Sequence, residues 1–73
     1  MKEIIAKRLK ELRLERGYTQ SQIAIYSDIT ETAYQNYELM KRVPRVEVLV
    51  KIADFYNVSL DYLTGRTDKK NII

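Results

Sequence analysis

Two threonines, Thr19 and Thr30, fix what residues 19–38 can become. Each stands just before a short run able to form a helix. A hydroxyl there accepts a bond from a backbone N–H that the first helical turn leaves unpaired. Gln22, three residues after Thr19, completes a capping box. The spacing predicts one helix from the Thr19 cap to about Ser27 and another from the Thr30 cap to Glu38. Asp28-Ile29 is the turn between them, with Ile29 plugging the core beneath it. Helices this short are marginal in water on their own, so the rest of the chain has to pack against them.

The flanking segments supply that packing. Residues 2–16 have a helical period: Ile5, Leu9 and Leu12 form the apolar stripe, and Lys7, Lys10, Glu11 and Glu15 lie away from it. Gly17 ends this helix as a left-handed cap. Tyr18 then sits before Thr19, in position to staple onto Ile23. In the next two helices Ile23, Ala24, Ala33, Tyr34 and Tyr37 face inward. Ile25, Tyr26, Glu31, Thr32, Gln35 and Asn36 face outward. Pro44 closes a loop over residues 39–45 and presets the next helix start. Residues 45–56 form a fourth helix with the stripe Val46, Leu49, Ile52, Ala53 and Tyr56, capped by Asn57. Ser59 caps a short fifth helix over 60–64 that Gly65 ends. The reading is an all-α domain over 1–65 and a frayed tail over 66–73, with no strand.

Composition narrows the function. The chain has 73 residues and lacks both Cys and His, which excludes disulfides and the usual zinc sites. A core this small gives only about 3–5 kcal/mol of net stability, so helix packing, helped by self-association, has to suffice. No cofactor is called for. There is no nucleophile–base pair and no glycine-rich phosphate loop, which argues against an enzyme. No apolar run approaches the roughly 20 residues of a membrane span. Lys7 and Arg8 end the apolar start, so no signal peptide is read and the expected location is cytoplasmic. The formal charge of +3 mildly favours a polyanionic partner.

Two capped helices and a tight turn suit a helix-turn-helix, whose second helix enters the DNA major groove. Leu12-Arg13 before Gly17, Thr19-Gln20, Ile23-Ala24, Ile29-Thr30, Tyr37-Glu38, Lys41-Arg42, Pro44 and Val58-Ser59-Leu60-Asp61-Tyr62-Leu63 follow one another in order. Over about residues 4–65 the chain resembles the phage-repressor/Cro-like (Xre-type) helix-turn-helix family. The resemblance implies a compact five-helix, lambda-repressor-like domain binding double-stranded operator DNA as a dimer. It implies that Glu31, Thr32 and Asn36 touch base edges. It implies further that Gln20, Gln35, Lys41, Arg42 and Arg45 meet phosphates, with Gln20 also bracing the reading residues, and that Arg13 and Glu38 form a structural ion pair tying the first helix to the end of the third.

Elementary chemistry supports part of this. Asn36 can bond adenine N6 and N7 together, and Glu31 can accept from cytosine N4. Thr32 can donate, accept or touch a thymine methyl. Taken singly, each is also an ordinary solvated residue on a short helix, and Glu31 serves equally as a helix-capping carboxylate. From Ser27 to Met40 there is no Lys or Arg, so attraction to phosphate has to come from Lys41, Arg42 and Arg45. Relatives in the family commonly carry a large apolar residue and a Gly where this chain has Ser27 and Asp28, and Gly where it has Met40.

Tyr34, Tyr37 and Tyr56 fall at core spacing, so packing explains them better than base stacking. Val48, Val50 and Phe55, read as outer-face residues of the fourth helix, join Tyr62, Ile72 and Ile73 in an expected apolar patch for a weak homodimer. A two-fold dimer predicts a near-palindromic operator. A transcriptional regulator, most simply a repressor, is the leading reading. A helix-turn-helix used as a protein-binding module, such as an antitoxin or anti-repressor, is the alternative. No membrane or small-molecule partner is expected.

Overall fold

A computed structural model describes residues 1–70. Five helices follow one another: α1 Lys2–Arg16, α2 Gln20–Ser27, α3 Glu31–Glu38, α4 Val46–Tyr56 and α5 Leu60–Leu63. No strand occurs among the described residues. Ile5, Leu9 and Leu12 of α1, Ile23 and Ala24 of α2, Tyr34 of α3, Leu49, Ile52 and Tyr56 of α4, and Leu63 of α5 are all buried in one core. α1 packs against α3 and α5, and α4 packs against α2 and α5.

The caps act as the sequence predicts. The Thr19 hydroxyl accepts from the Gln22 N–H while the Gln22 side chain accepts from the Thr19 N–H, closing the capping box. The Thr30 hydroxyl accepts from Ala33 N–H and the Ser59 hydroxyl from Tyr62 N–H. At the other ends one solution recurs. Gly17, Asp28, Met40, Asn57 and Gly65 all have positive φ, one after each helix. In each case the following residue's N–H reaches back to the last turn, from Tyr18 to Arg13 O, Ile29 to Ala24 O, Lys41 to Asn36 O, Val58 to Ala53 O and Arg66 to Asp61 O. Asp28 in this conformation keeps the turn before α3 tight, with Ser27 buried beneath it and Lys51 Nζ 3.7 Å from its carboxylate. Met40 takes the same conformation at φ 63°, which costs a side-chain-bearing residue about 1–2 kcal/mol relative to glycine.

Three sequence expectations change. The inward face of α4 is Val48, Leu49, Ile52, Ala53 and Tyr56, whereas Val46 is 65% exposed. Val46 lies in the first turn at the edge of the stripe. Val48 lies on the opposite flank, facing the α2–α3 turn and the 42–45 loop across a trough. Tyr62 is buried rather than available for a dimer contact. The Arg8 guanidinium lies over its ring, 4.1 Å from the centroid. Phe55 is half-buried, stacked on Tyr26 at 4.4 Å and in contact with Tyr18 and Tyr56. Phe55 and Tyr62 therefore do not join in one open patch. Ile72 and Ile73 lie outside the described residues.

The third change concerns the tail, which is docked through residue 70. Arg8 is itself buried. It donates to the backbone oxygens of Tyr62 and Thr67, the latter at 2.6 Å, and to Asp68 Oδ1 at 2.8 Å. Ser59 N–H donates to Lys70 O at 2.8 Å, and Lys70 Nζ sits 3.0 Å from the Glu15 carboxylate. A buried guanidinium needs several acceptors at once, and the tail supplies two of them.

Two glycines share left-handed geometry but differ in surroundings. A Cβ on Gly65 would come within 2.8 Å of the Ile4 side chain, while one on Gly17 would meet nothing within 4 Å. Gly17→Ala should cost about 1–2 kcal/mol from backbone strain alone. Gly65→Ala should cost clearly more, because the α1–α5 contact has to open as well. Urea denaturation of both variants measures the difference, and equal losses would refute the close-contact explanation.

Candidate nucleic-acid interface

Helix α3, the candidate reading helix, is held at both ends and from behind. At its start the Thr30 cap fixes the first turn. At its end Leu39 caps and Met40 turns left-handed, which lets both Lys41 N–H and Arg42 N–H bond Asn36 O, at 2.9 and 3.3 Å. The backbone of the basic loop is thereby anchored on the carbonyl of a candidate reading residue. Tyr34, fully buried on the inner face of α3, seats the helix on the core.

Behind α3 lies an ion pair. Arg13 Nε meets Glu38 Oε2 at 2.8 Å and Arg13 Nη2 meets Glu38 Oε1 at 3.1 Å, a two-pronged contact between α1 and α3. Arg13 Nη1 also donates to Tyr18 O. The Gln20 amide donates to Glu38 Oε1 at 3.2 Å, so the first residue of α2 joins the same carboxylate. The two charged side chains are 12% and 5% exposed, which separates this pair from the solvated ion pairs elsewhere on the surface. Burial by itself would raise the Glu38 pKa. The Arg13 bond, helped by the Gln20 amide and the neighbouring Tyr34 hydroxyl, more than offsets it and holds the carboxyl below its ordinary value. The same bond raises the Arg13 pKa. The Tyr34 hydroxyl lies beside the carboxylate without completing a hydrogen bond of good geometry, and burial pushes its phenol strongly upward.

The outward side of α3 carries the candidate readers. Glu31 and Thr32 are exposed, and Gln35 and Asn36 are half-buried. Gln35 Nε2 donates to Glu31 Oε2 at 3.4 Å, a loose bond one helical turn apart that presents the two side chains together. Lys41, Arg42 and Arg45 are exposed at the C-terminal end of α3, and none has an acidic partner within ion-pair distance among the described residues. Buried Pro44 pins the loop between Arg42 and Arg45. The fold thus brings together Glu31, Thr32, Gln35 and Asn36 on α3 and Lys41, Arg42 and Arg45 on the loop after it. Gln20 stands apart from this group at the start of α2, half-buried and with its amide on Glu38.

One feature of this region went unread in the sequence. Thr30, Ala33 and Tyr37, along one flank of α3, together with Ile29, Arg42, Val43, Arg45 and Val48, enclose a trough of about 410 Å³. Its lining runs from Ile29 to Val48 through the α2–α3 turn, α3, the loop after it and the start of α4, and only the fold turns these consecutive elements toward one another.

Comparison with known proteins fits this geometry. The Helix-turn-helix family model matches residues 9–63, most of the chain. The chain belongs to the Xre-type helix-turn-helix family. It is 44% identical over 69 residues to the HTH-type transcriptional regulator ImmR of Bacillus subtilis, covering 92% of this chain and 54% of that protein. The cryptic phage CTXphi transcriptional repressor RstR of Vibrio cholerae is 42% identical over 62 residues, 85% of this chain and 55% of its own length. The SPbeta prophage-derived regulator YonR of B. subtilis is 35% identical over 64 residues, 88% and 59% respectively. The chain therefore spans a little over half the length of these relatives. No solved structure matches it significantly.

The depressed Glu38 pKa fixes a pH dependence. A carboxylate whose pKa is lower folded than unfolded adds stability above the unfolded value, and that contribution disappears as pH falls through the folded value. Glu38→Gln should therefore melt well below the unsubstituted protein at neutral pH, by the several degrees that about 2–3 kcal/mol represents in a small domain. The gap should narrow below about pH 4.5, the ordinary carboxyl value. Thermal melts from pH 3 to pH 7 test this, and a gap independent of pH would remove the ionic contribution.

Proposed function

We propose that the chain is a sequence-specific double-stranded DNA-binding domain of a transcriptional regulator, most simply a repressor, and that it carries no catalytic activity. The observation that carries this reading is the pairing of a firmly seated α3, polar on its outer side, with a loop of three cations that have no acidic partners among the described residues. Folding leaves those charges for a polyanion. The names of the relatives, regulators and a phage repressor, point the same way.

In this reading α3 lies in the major groove. Glu31, Thr32 and Asn36 face base edges, and Asn36 is suited to adenine through paired bonds to N6 and N7. Lys41, Arg42 and Arg45 clamp phosphates and set the register, while the bases supply selectivity. Gln35 holds the Glu31 carboxylate and reaches toward the backbone. Gln20 acts through Glu38, bracing α2 against α3. No helix among the described residues is long and apolar enough to cross a membrane. A cytoplasmic location, two-fold assembly on a near-palindromic operator and the absence of a cofactor belong to the same proposal.

A second reading, a helix-turn-helix used to bind a protein, has one observation in its favour: α3 itself bears no Lys or Arg. Selection of bound sites from random duplex DNA separates the two. Enrichment of a common, near-palindromic sequence supports the regulator, and its absence supports the protein-binding module.

Two substitutions refine the test. Asn36→Ala should cost about 1–3 kcal/mol against the selected site and relax discrimination at one base pair. An equal loss on every sequence would contradict base reading. Arg42→Ala should weaken binding to all sequences and reduce the slope of log K against log salt by about one. An unchanged slope would take Arg42 off the phosphates.

A further inference from the structure

A residue of positive φ follows each helix, and four of these are of types that take the conformation readily: Gly17, Gly65, Asp28 and Asn57. Met40, at φ 63°, is the exception. Its backbone does nothing that a glycine would not do as well. The bonds from Met40 N–H to Tyr37 O, and from Lys41 N–H and Arg42 N–H to Asn36 O, use main-chain atoms only. Nor does its side chain offset the strain by packing. It is 46% exposed and stands outside the group of buried and half-buried apolar residues that forms the core. Strain that the fold itself leaves uncompensated gathers at binding sites.

The position fits such a site. Met40 lies between Asn36, a candidate reading residue, and Lys41 and Arg42, which have no acidic partner among the described residues. Leu39, just before it, is 58% exposed. A loop that grips phosphates by charge brings its other side chains against the carbon surface of the strand, its deoxyribose rings and thymine methyl groups. An unbranched thioether side chain is flexible and polarizable, so it moulds itself to such a surface.

We propose that Met40 is a DNA-contacting residue, its side chain covering an apolar part of the operator strand beside the phosphates held by Lys41 and Arg42. The domain keeps a strained methionine for this contact and is less stable for it. The proposal rests on the duplex-binding reading above. A glycine at this position gives the more stable domain and the weaker binder.

Two variants and one footprint test it, on a duplex recovered from random-sequence selection. Met40→Gly should raise the melting temperature by several degrees and still weaken binding, by about fivefold to tenfold, the size of one lost apolar contact. Met40→Ala keeps a Cβ in the left-handed conformation, so it should show the same loss of binding without the gain in melting temperature. In both, the slope of log K against log salt should stay unchanged, because an apolar contact releases no counterions. Coverage is read directly by peroxide oxidation and mass spectrometry. The chain has two methionines, and Met1, 71% exposed, is the internal reference. Saturating duplex should slow sulfoxide formation at Met40 several-fold and leave Met1 as before. Replacing thymines by uracil one at a time tells the two carbon surfaces apart. A position where the loss of the methyl weakens the unsubstituted protein but not Met40→Ala marks a thymine contact, and its absence marks the sugar.

Met40→Gly binding as tightly as the unsubstituted protein would overturn the proposal, as would equal oxidation of Met40 with and without duplex. A binding loss confined to Met40→Gly would assign the effect to loop freedom and overturn it as well. Protection of Met40 that grows with protein concentration and needs no DNA would give the side chain to a second copy instead. If selection yields no duplex, the duplex-binding reading fails and this contact fails with it.

Discussion

The Glu38 carboxylate is where three helices meet. Arg13 brings α1 to it, Gln20 brings α2, and Glu38 itself closes the last turn of α3. Apolar packing alone is non-directional and leaves a short helix such as α3 free to roll by a fraction of a turn. A two-pronged guanidinium–carboxylate contact is directional, and it fixes one angle about the helix axis. The outward presentation of Glu31, Thr32 and Asn36 follows from that angle. The same pair, nearly removed from water, adds less to net stability than its geometry suggests, because both charges surrender hydration. Its main product is orientation.

Much of this was legible in the sequence because it is local chemistry. The hydroxyl caps at Thr19, Thr30 and Ser59 and the left-handed residues Gly17, Asp28 and Asn57 depend on near neighbours only. Their positions could be read residue by residue. Asp28 illustrates the limit of composition-based expectation: a glycine would be cheaper there, yet a carboxylate-bearing residue takes the conformation and keeps the turn tight. The Arg13–Glu38 pair was legible for another reason, the family resemblance, since no local pattern links residues so far apart.

What stayed hidden depends on contacts across the chain. Arg8 stands between Ile5, Leu9 and Leu12 on the buried side of α1, and a cation on an apolar stripe is a signal in itself. A long side chain can also snorkel to water from such a position, so the sequence does not say which occurs. Val46 and Val48 lie on opposite flanks of one helical stripe, and only the neighbours of α4 decide which is covered. The trough beside α3 exists only once the α2–α3 turn, α3, the following loop and the start of α4 have folded toward one another. The expected Phe55–Tyr62 patch failed for the same reason: their partners, Tyr26 and Arg8, come from other helices.

The Arg8 clamp bears on where this folding unit ends. Counting helices places the boundary near Gly65, and the family match stops at residue 63. Yet two of the acceptors that satisfy the buried guanidinium, Thr67 O and Asp68 Oδ1, lie beyond that point. A fragment trimmed after the fifth helix would keep every helix and still strand a cation with one backbone oxygen and one aromatic ring. Charge satisfaction, and not the count of helices alone, decides how much chain this core needs, and the acceptors of Arg8 carry that need at least to Asp68.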